Sequence, residues 1–273
     1  MLLLRRPDKP SDFDRRTSEA RRRVEEAVAA GEAPRFEPPL WRGYKGVFSE
    51  AQHGKCAFCE AFTSAVSTGH VDHFRPKGAV AELGEDPDGW GEEVPGTSNV
   101  EGRRPRKLSD RGYWWLAYEW ENFCFVCERC NTGWKRTIFP VADEPRRLPP
   151  SPDVEESCLL LDPYGGETPS DHLLFDEQGW VEAAPGSRIG FETVRTLGLD
   201  REPLRWSREE KARKTTQLLN TLDRDPNSWR ETLDDLVRLG DRRYVHAGMV
   251  RIMAERWLGL SWEELEASSA APS

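Results

Sequence analysis

KCAFCE (Lys55 to Glu60), HVDHFRPK (His70 to Lys77) and WENFCFVCERCNTGWK (Trp120 to Lys135) decide how this chain is read. Two Cys-x-x-Cys pairs, Cys56/Cys59 and Cys127/Cys130, bracket an Asp-His dipeptide, and Asn131 follows the last cysteine directly. Each knuckle supplies two thiolates from one tight turn, so a pair of knuckles predicts a tetrahedral four-cysteine zinc site. Cys124 and Cys127 share the same spacing, and spacing alone leaves open which pair forms the second knuckle. Beside the cysteines stand Asp72, His73, Asn122 and Asn131. Carboxylate and amide oxygens with an imidazole are the residue types of a second site, for a harder cation. Their presence separates the chain from an ordinary zinc ribbon.

At these residues the chain resembles the HNH endonucleases, the ββα-metal nuclease family. The family pattern is CxxC, an acidic or His residue before His with a Pro following, a middle Asn, then CxxC-Asn/His with a Lys soon after. Cys56 and Cys59, Asp72-His73 with Pro76, Asn122, then Cys127 and Cys130 with Asn131 and Lys135 carry it here. The wider wording KCAFCE, HVDHFRPK, YWWLAYEWENF, CERCN, LLDPYGG and TLGLDREPL resembles the PtuB-like HNH component of Septu-type and retron-associated anti-phage defence systems, over most of Lys45 to Glu210.

The resemblance implies an α+β fold, with a zinc-stabilised ββα-metal nuclease core and a mainly helical C-terminal region. It selects Cys127/Cys130 as the second knuckle and leaves Cys124 and Cys158 as bystanders. The four-thiolate Zn²⁺ is then structural; having no open position, it does no chemistry and sets the spacing of His73 and Asn131. His73 becomes the general base, with Asp72 and Asn131 as ligands to a catalytic Mg²⁺ or Mn²⁺. Asn122 is expected to hold the His73 loop in place. Arg75, Lys77 and Lys135, close in sequence to these groups, are candidate phosphate contacts. His70 would share a strand face with Asp72 and is a rival ligand that the family pattern does not require.

Composition bounds the rest. A chain of 273 residues with 37% apolar content, 11 Trp and 11 Phe can bury a core without disulfides. The formal charge of −9 confines any nucleic-acid contact to local positive patches. No apolar run approaches a membrane span, and the six cysteines, four of them in knuckle spacing, indicate a reducing compartment, hence a cytoplasmic protein.

Along the chain, residues 1–43 are expected to form an N-terminal helix (Ser11 to Ala30) and a Pro-rich linker. Residues 44–141 form the nuclease core. Its long insertion at 78–111 turns basic at Arg103, Arg104, Arg106 and Lys107 and lacks clear periodicity. Strand character is expected around Val71 to Phe74. Trp114, Leu116 and Trp120 are expected in the core, and a helix starts after Cys130. Residues 142–273 begin with a Pro- and Arg-rich connector (Ala142 to Asp153), pass through strand and hairpin material with turns at Pro163 to Gly165 and at Gly179, and continue with helices near 189–197, 203–223, 226–239, 241–258 and 261–267, the last fraying. His172 and His246 are expected to be ordinary surface or core histidines.

These readings point to a metal-dependent endonuclease acting on nucleic acid, with DNA favoured over RNA. The resemblance further implies an effector of phage defence controlled by a PtuA-like ATPase partner. The alternatives are an HNH enzyme of restriction, repair or toxin type without such a partner, and a non-catalytic zinc module that binds nucleic acid or protein.

Overall fold

The structure, a computed structural model, describes residues 1–63, 68–83, 105–109, 111–142 and 156–271. It mixes helices with small sheets, 50% helical and 11% strand. Contacts gather the chain into two compact units. One comprises Met1–Leu4, Lys55–Phe62 and Leu161–Ser273, and the other Arg5–Gly54 and Thr63–Leu160. In this division Leu160 and Leu161 fall in different units, and residues 5–43 belong to the second of these units.

In that unit, α1 (Phe13–Ala29) buries one narrow stripe, Phe13, Thr17, Ala20 and Val24, the spacing a 3.6-residue turn dictates. Short helices α2 (Pro39–Arg42) and α3 (Lys45–Ala51) follow. Strand β1 (His70–His73) pairs antiparallel with β4 (Phe123–Val126), with Asp72 opposite Cys124 and His73 opposite Phe123. Gln52, buried after α3, extends this small sheet. Its Nε2 donates to the Phe125 carbonyl at 2.7 Å and its Oε1 accepts from the Phe125 amide at 3.0 Å. Gly69 leads into β1 with φ +60°, and a Cβ there would lie 2.3 Å from the Phe125 ring. Phe13, Tyr44 and Phe48 meet Trp120 at centroid distances of 5.2, 5.5 and 4.4 Å, forming the aromatic core beneath β1 and β4.

Three expectations are revised in this unit. The insertion, without clear periodicity in the sequence, contributes strands where described: β2 (Val80–Leu83) pairs antiparallel with β3 (Pro105–Ser109), and Lys107 is exposed on β3. Arg103 and Arg104 of the basic run lie outside the described residues. Trp114 and Leu116 are half-buried, so of the three aromatic-block residues named above Trp120 alone is fully buried. The helix expected after Cys130 is a seven-residue π-helical turn, Arg129–Lys135, ended by Arg136 at φ 48°, ψ −114°. A backbone turned to positive φ cannot continue a right-handed helix.

In the other unit, β5 (Leu173–Phe175) and β6 (Val181–Ala183) form the expected hairpin, preceded by the short helix α4 (Pro169–His172). Helices α5 (Arg188–Leu197), α6 (Glu202–Arg224), α7 (Trp229–Leu239), α8 (Ala247–Leu258) and α9 (Trp262–Ala270) follow. Leu218, Leu219 and Leu222 of α6 pack with Leu233 and Leu236 of α7, Val250 and Ala254 of α8, and Trp262 and Leu265 of α9. Helix α8 starts at Ala247, six residues later than the periodicity predicts. The Lys55 ammonium takes the carbonyls of Arg242 and Tyr244, and that of Lys211 takes the Val245 carbonyl, so these acceptors serve lysines instead of a helical turn. Helix α9 runs to Ala270, three residues beyond the expected end; a Ser261/Glu264 capping box closes its start, and Trp262 and Leu265 are buried.

His246 is buried, with Nε2 2.7 Å from the Ser207 hydroxyl. Burial and, next, the nearby Arg208 charge push its pKa down to about 4 from 6.5. The unfolded chain therefore takes up this proton first as pH falls. Stability is intact above pH ~6.5 and declines until pH ~4, by about 3 kcal/mol at most. In urea melts, the stability difference between the native chain and His246→Gln is expected to shrink from pH 7 to pH 5. A difference that stays constant would refute this assignment.

Candidate functional site

The sulfurs of Cys56, Cys59, Cys127 and Cys130 lie within 4.8 Å of one another. A tetrahedral zinc with Zn–S of ~2.3 Å requires sulfurs ~3.8 Å apart, so this group can hold a zinc ion. Local backbone geometry fits that use. Glu60, just after the first knuckle, takes φ 60°, and its amide donates to the Cys56 carbonyl at 2.9 Å. In the second knuckle the Cys130 amide points at Cys127 Sγ, 3.4 Å away, the N–H···S contact that stabilises a thiolate. Cys124 is buried on β4 and stands outside the group, as does Cys158.

Asp72, His73, His70 and Asn131 line one cavity of about 770 Å³, together with Trp41, Arg42, Lys45, Lys77 and Arg136. Asp72 and His73 are neighbours on a strand, yet both reach it. His73 is the last residue of β1, where the pleat no longer dictates direction. Its ring is wedged edge-on against Trp41 and Phe123, at 4.8 and 5.0 Å. Nε2 lies 2.9 Å from the Ala117 carbonyl, which can only accept, so Nε2 carries the hydrogen and Nδ1 presents a lone pair. Burial, then the Lys77 and Lys135 charges, hold this imidazole well below its ordinary pKa, so it is neutral at pH 7.

Asn122, buried, grips the turn that follows His73. Its Oδ1 accepts from the Arg75 amide at 2.7 Å, and its Nδ2 donates to the carbonyls of Arg75 (3.0 Å) and Leu116 (3.1 Å). Gly112 allows the next strand of chain to close on this turn, since a Cβ there would lie 2.2 Å from the Pro76 carbonyl. Asn131 Nδ2 sits 3.0 Å from His70 Nδ1, placing His70, Asp72 and Asn131 on the same cavity wall.

The three candidate phosphate contacts separate. Lys77 lines the cavity, its Nζ 3.4 Å from His73 Nδ1 and 4.6 Å from the Trp41 ring centroid. Burial lowers its pKa to about 8, against the opposing pull of Asp72. Arg75 instead turns to Glu156, Nε to Oε1 at 3.0 Å. Lys135 is fully buried, its Nζ 2.9 Å from both Asp72 Oδ2 and the His73 carbonyl. It neutralises the carboxylate from behind and has no surface to offer a substrate. Trp41, Arg42, Lys45 and Arg136 were not singled out from sequence. Trp41 and Arg42 come from a stretch whose prolines mark it as a linker, and Lys45 stands at the start of the expected nuclease core, outside the motifs.

No protein-family model matches the chain, and no solved structure matches it. Among curated proteins it is similar to a protein named Septu protein PtuB, from Bacillus mycoides strain KBAB4, at 32% identity over 192 residues. The match takes in 68% of this chain and 58% of the relative, so the chain spans little more than half of that protein's length. Among the described residues, no helix is long and apolar enough to cross a membrane. By that likeness, the chain is a PtuB-like Septu protein.

Proposed function

We propose that the chain is a metal-dependent endonuclease of HNH type, acting in phage defence under the control of a PtuA-like ATPase partner. The observation that carries the catalytic part is the His73 tautomer: Nε2–H is committed to the Ala117 carbonyl, so Nδ1 keeps its lone pair, facing Lys77 Nζ at 3.4 Å, in the cavity that Asp72 also lines. Nδ1 takes a proton from water, whose oxygen attacks phosphorus as the P–O bond to the leaving oxygen breaks. Asn122 keeps the imidazole aimed by fixing the backbone of the turn after it. Lys77, which lines the cavity, would supply a counter-charge to a phosphate oxygen. The PtuB likeness supports the defence role and the ATPase partner.

Asp72 and Asn131 would hold the Mg²⁺ or Mn²⁺, with His70 on the same wall. Among the described residues the four cysteines are the one group of three or more Cys, His, Asp or Glu donors. A cation here therefore relies on one carboxylate, amide oxygen and retained water, the sparse set that Mg²⁺ accepts. When bound, it would polarise the phosphate and stabilise the leaving oxygen.

Removing Asp72 alone would strand the buried Lys135 ammonium, at a cost of roughly 3–5 kcal/mol. The suitable variant is thus Asp72→Asn with Lys135→Met. Mn²⁺ titration followed by electron paramagnetic resonance is expected to show a site in the native chain and none in the double variant, which should also fail to cut. Equal Mn²⁺ uptake by both would overturn the ligand assignment.

A further inference from the structure

Four cations line the cavity: Arg42, Lys45, Lys77 and Arg136. Among the described residues, the one carboxylate on its wall is Asp72, which Lys135 neutralises from behind at 2.9 Å. In a chain of net charge −9 this is a concentrated local excess of positive charge. Among the described residues, Arg42, Lys45 and Arg136 have no carboxylate partner, whereas α1 pairs its Arg22 and Arg23 with Glu19. Unpaired arginines and lysines around a concave site focus a field that attracts polyanions.

Position reinforces charge. Arg42 and Lys45 flank the short stretch after Trp41, and Trp41 is buried against the His73 ring at 4.8 Å. Trp41 thus anchors both cations beside the catalytic imidazole. Arg136 stands on the far side of the π-helical turn that carries Asn131, and its amide donates to the Asn131 carbonyl at 2.7 Å. Its φ of 48° with ψ −114° is a conformation a non-glycine residue adopts only at a cost of about 1–3 kcal/mol. That strain turns an exposed arginine to the cavity wall directly after the candidate metal-holding turn. A volume of about 770 Å³ is also far larger than one phosphate group fills.

We infer that Arg42, Lys45 and Arg136 form a backbone subsite that grips the phosphates flanking the scissile one. The segment before the knuckles is then part of the nucleic-acid interface. The inference rests on the nuclease reading for the identity of the ligand, a sugar–phosphate backbone of DNA or RNA.

The test is binding, not cleavage. Fluorescence anisotropy of the full-length, zinc-loaded chain without added Mg²⁺ is measured against labelled duplex DNA, single-stranded DNA and RNA across a salt series. Each phosphate contact contributes a slope of about −0.9 in log K against log salt on duplex DNA, and about −0.7 on single strands. The triple variant Arg42→Gln/Lys45→Gln/Arg136→Gln is expected to flatten the slope by about 2–3 on the preferred nucleic acid, whatever its sequence. A charge-matched control on α1, Arg15→Gln/Arg22→Gln/Arg23→Gln, should leave the slope unchanged. If both triples flatten it equally, or neither does, the subsite is overturned while the nuclease reading stands. If the native chain binds none of the three nucleic acids, the subsite is overturned, and the nuclease reading is decided separately by the cleavage assay with the ATPase supplied.

Discussion

Replacing His73 with alanine is expected to slow phosphodiester cleavage by about 10²–10⁴-fold, the usual contribution of a positioned general base. The size of the effect follows from the way the ring is held. The Ala117 carbonyl fixes the tautomer, Trp41 and Phe123 clamp the ring edges, and Asn122 braces the turn beyond it. His73 is also buried, so truncation costs packing energy, and a bare loss of activity would not separate base from filler. Added imidazole does, because it can enter the space left by alanine and restore part of the rate, whereas it cannot repair a collapsed fold. Wild-type cleavage by a folded His73→Ala chain would remove His73 from the mechanism.

The second large effect concerns zinc. The purified chain is expected to carry zinc, and stripping it with a chelator should abolish cooperative folding around the knuckles. Structural zinc contributes apparent free energies of about 10–16 kcal/mol in small zinc modules, as much as the whole stability of a typical domain. Cys59→Ser should lose the metal and the thermal transition, while Cys124→Ser, outside the sulfur group, should keep both. Zinc released on denaturation, measured colorimetrically beside circular-dichroism melts, checks this. A chain that contains no zinc and still melts cooperatively would contradict it.

The elements that sequence made legible are those written in residue type and short spacing. The Cys-x-x-Cys pairs name their own ligand, and alternation and turn residues marked β1, the β5–β6 hairpin and most C-terminal helices. The misplaced features depend on partners distant in sequence. Helix α8 loses its first turn because Lys55 and Lys211 capture carbonyls before it. The turn after Cys130 is π-helical and stops at a strained Arg136, which no propensity scale anticipates. Arg75, Lys77 and Lys135 look alike as cations near a His. Only Glu156, the cavity and Asp72 tell them apart, since pairing and burial belong to the folded chain. Trp41 and Arg42 were hidden for the opposite reason: flanking prolines read as a linker, although Trp41 packs on His73.

The most direct test of the central claim is a strand-break assay. Supercoiled plasmid and total tRNA are incubated with the zinc-loaded chain, with Mg²⁺ present or omitted, alone and with a PtuA-like ATPase supplied. The account predicts cutting of at least one substrate that requires Mg²⁺ and disappears in His73→Ala. Intact plasmid and intact tRNA under every condition, with zinc bound, the fold preserved and the ATPase present, would contradict it and leave a zinc-binding module without catalysis.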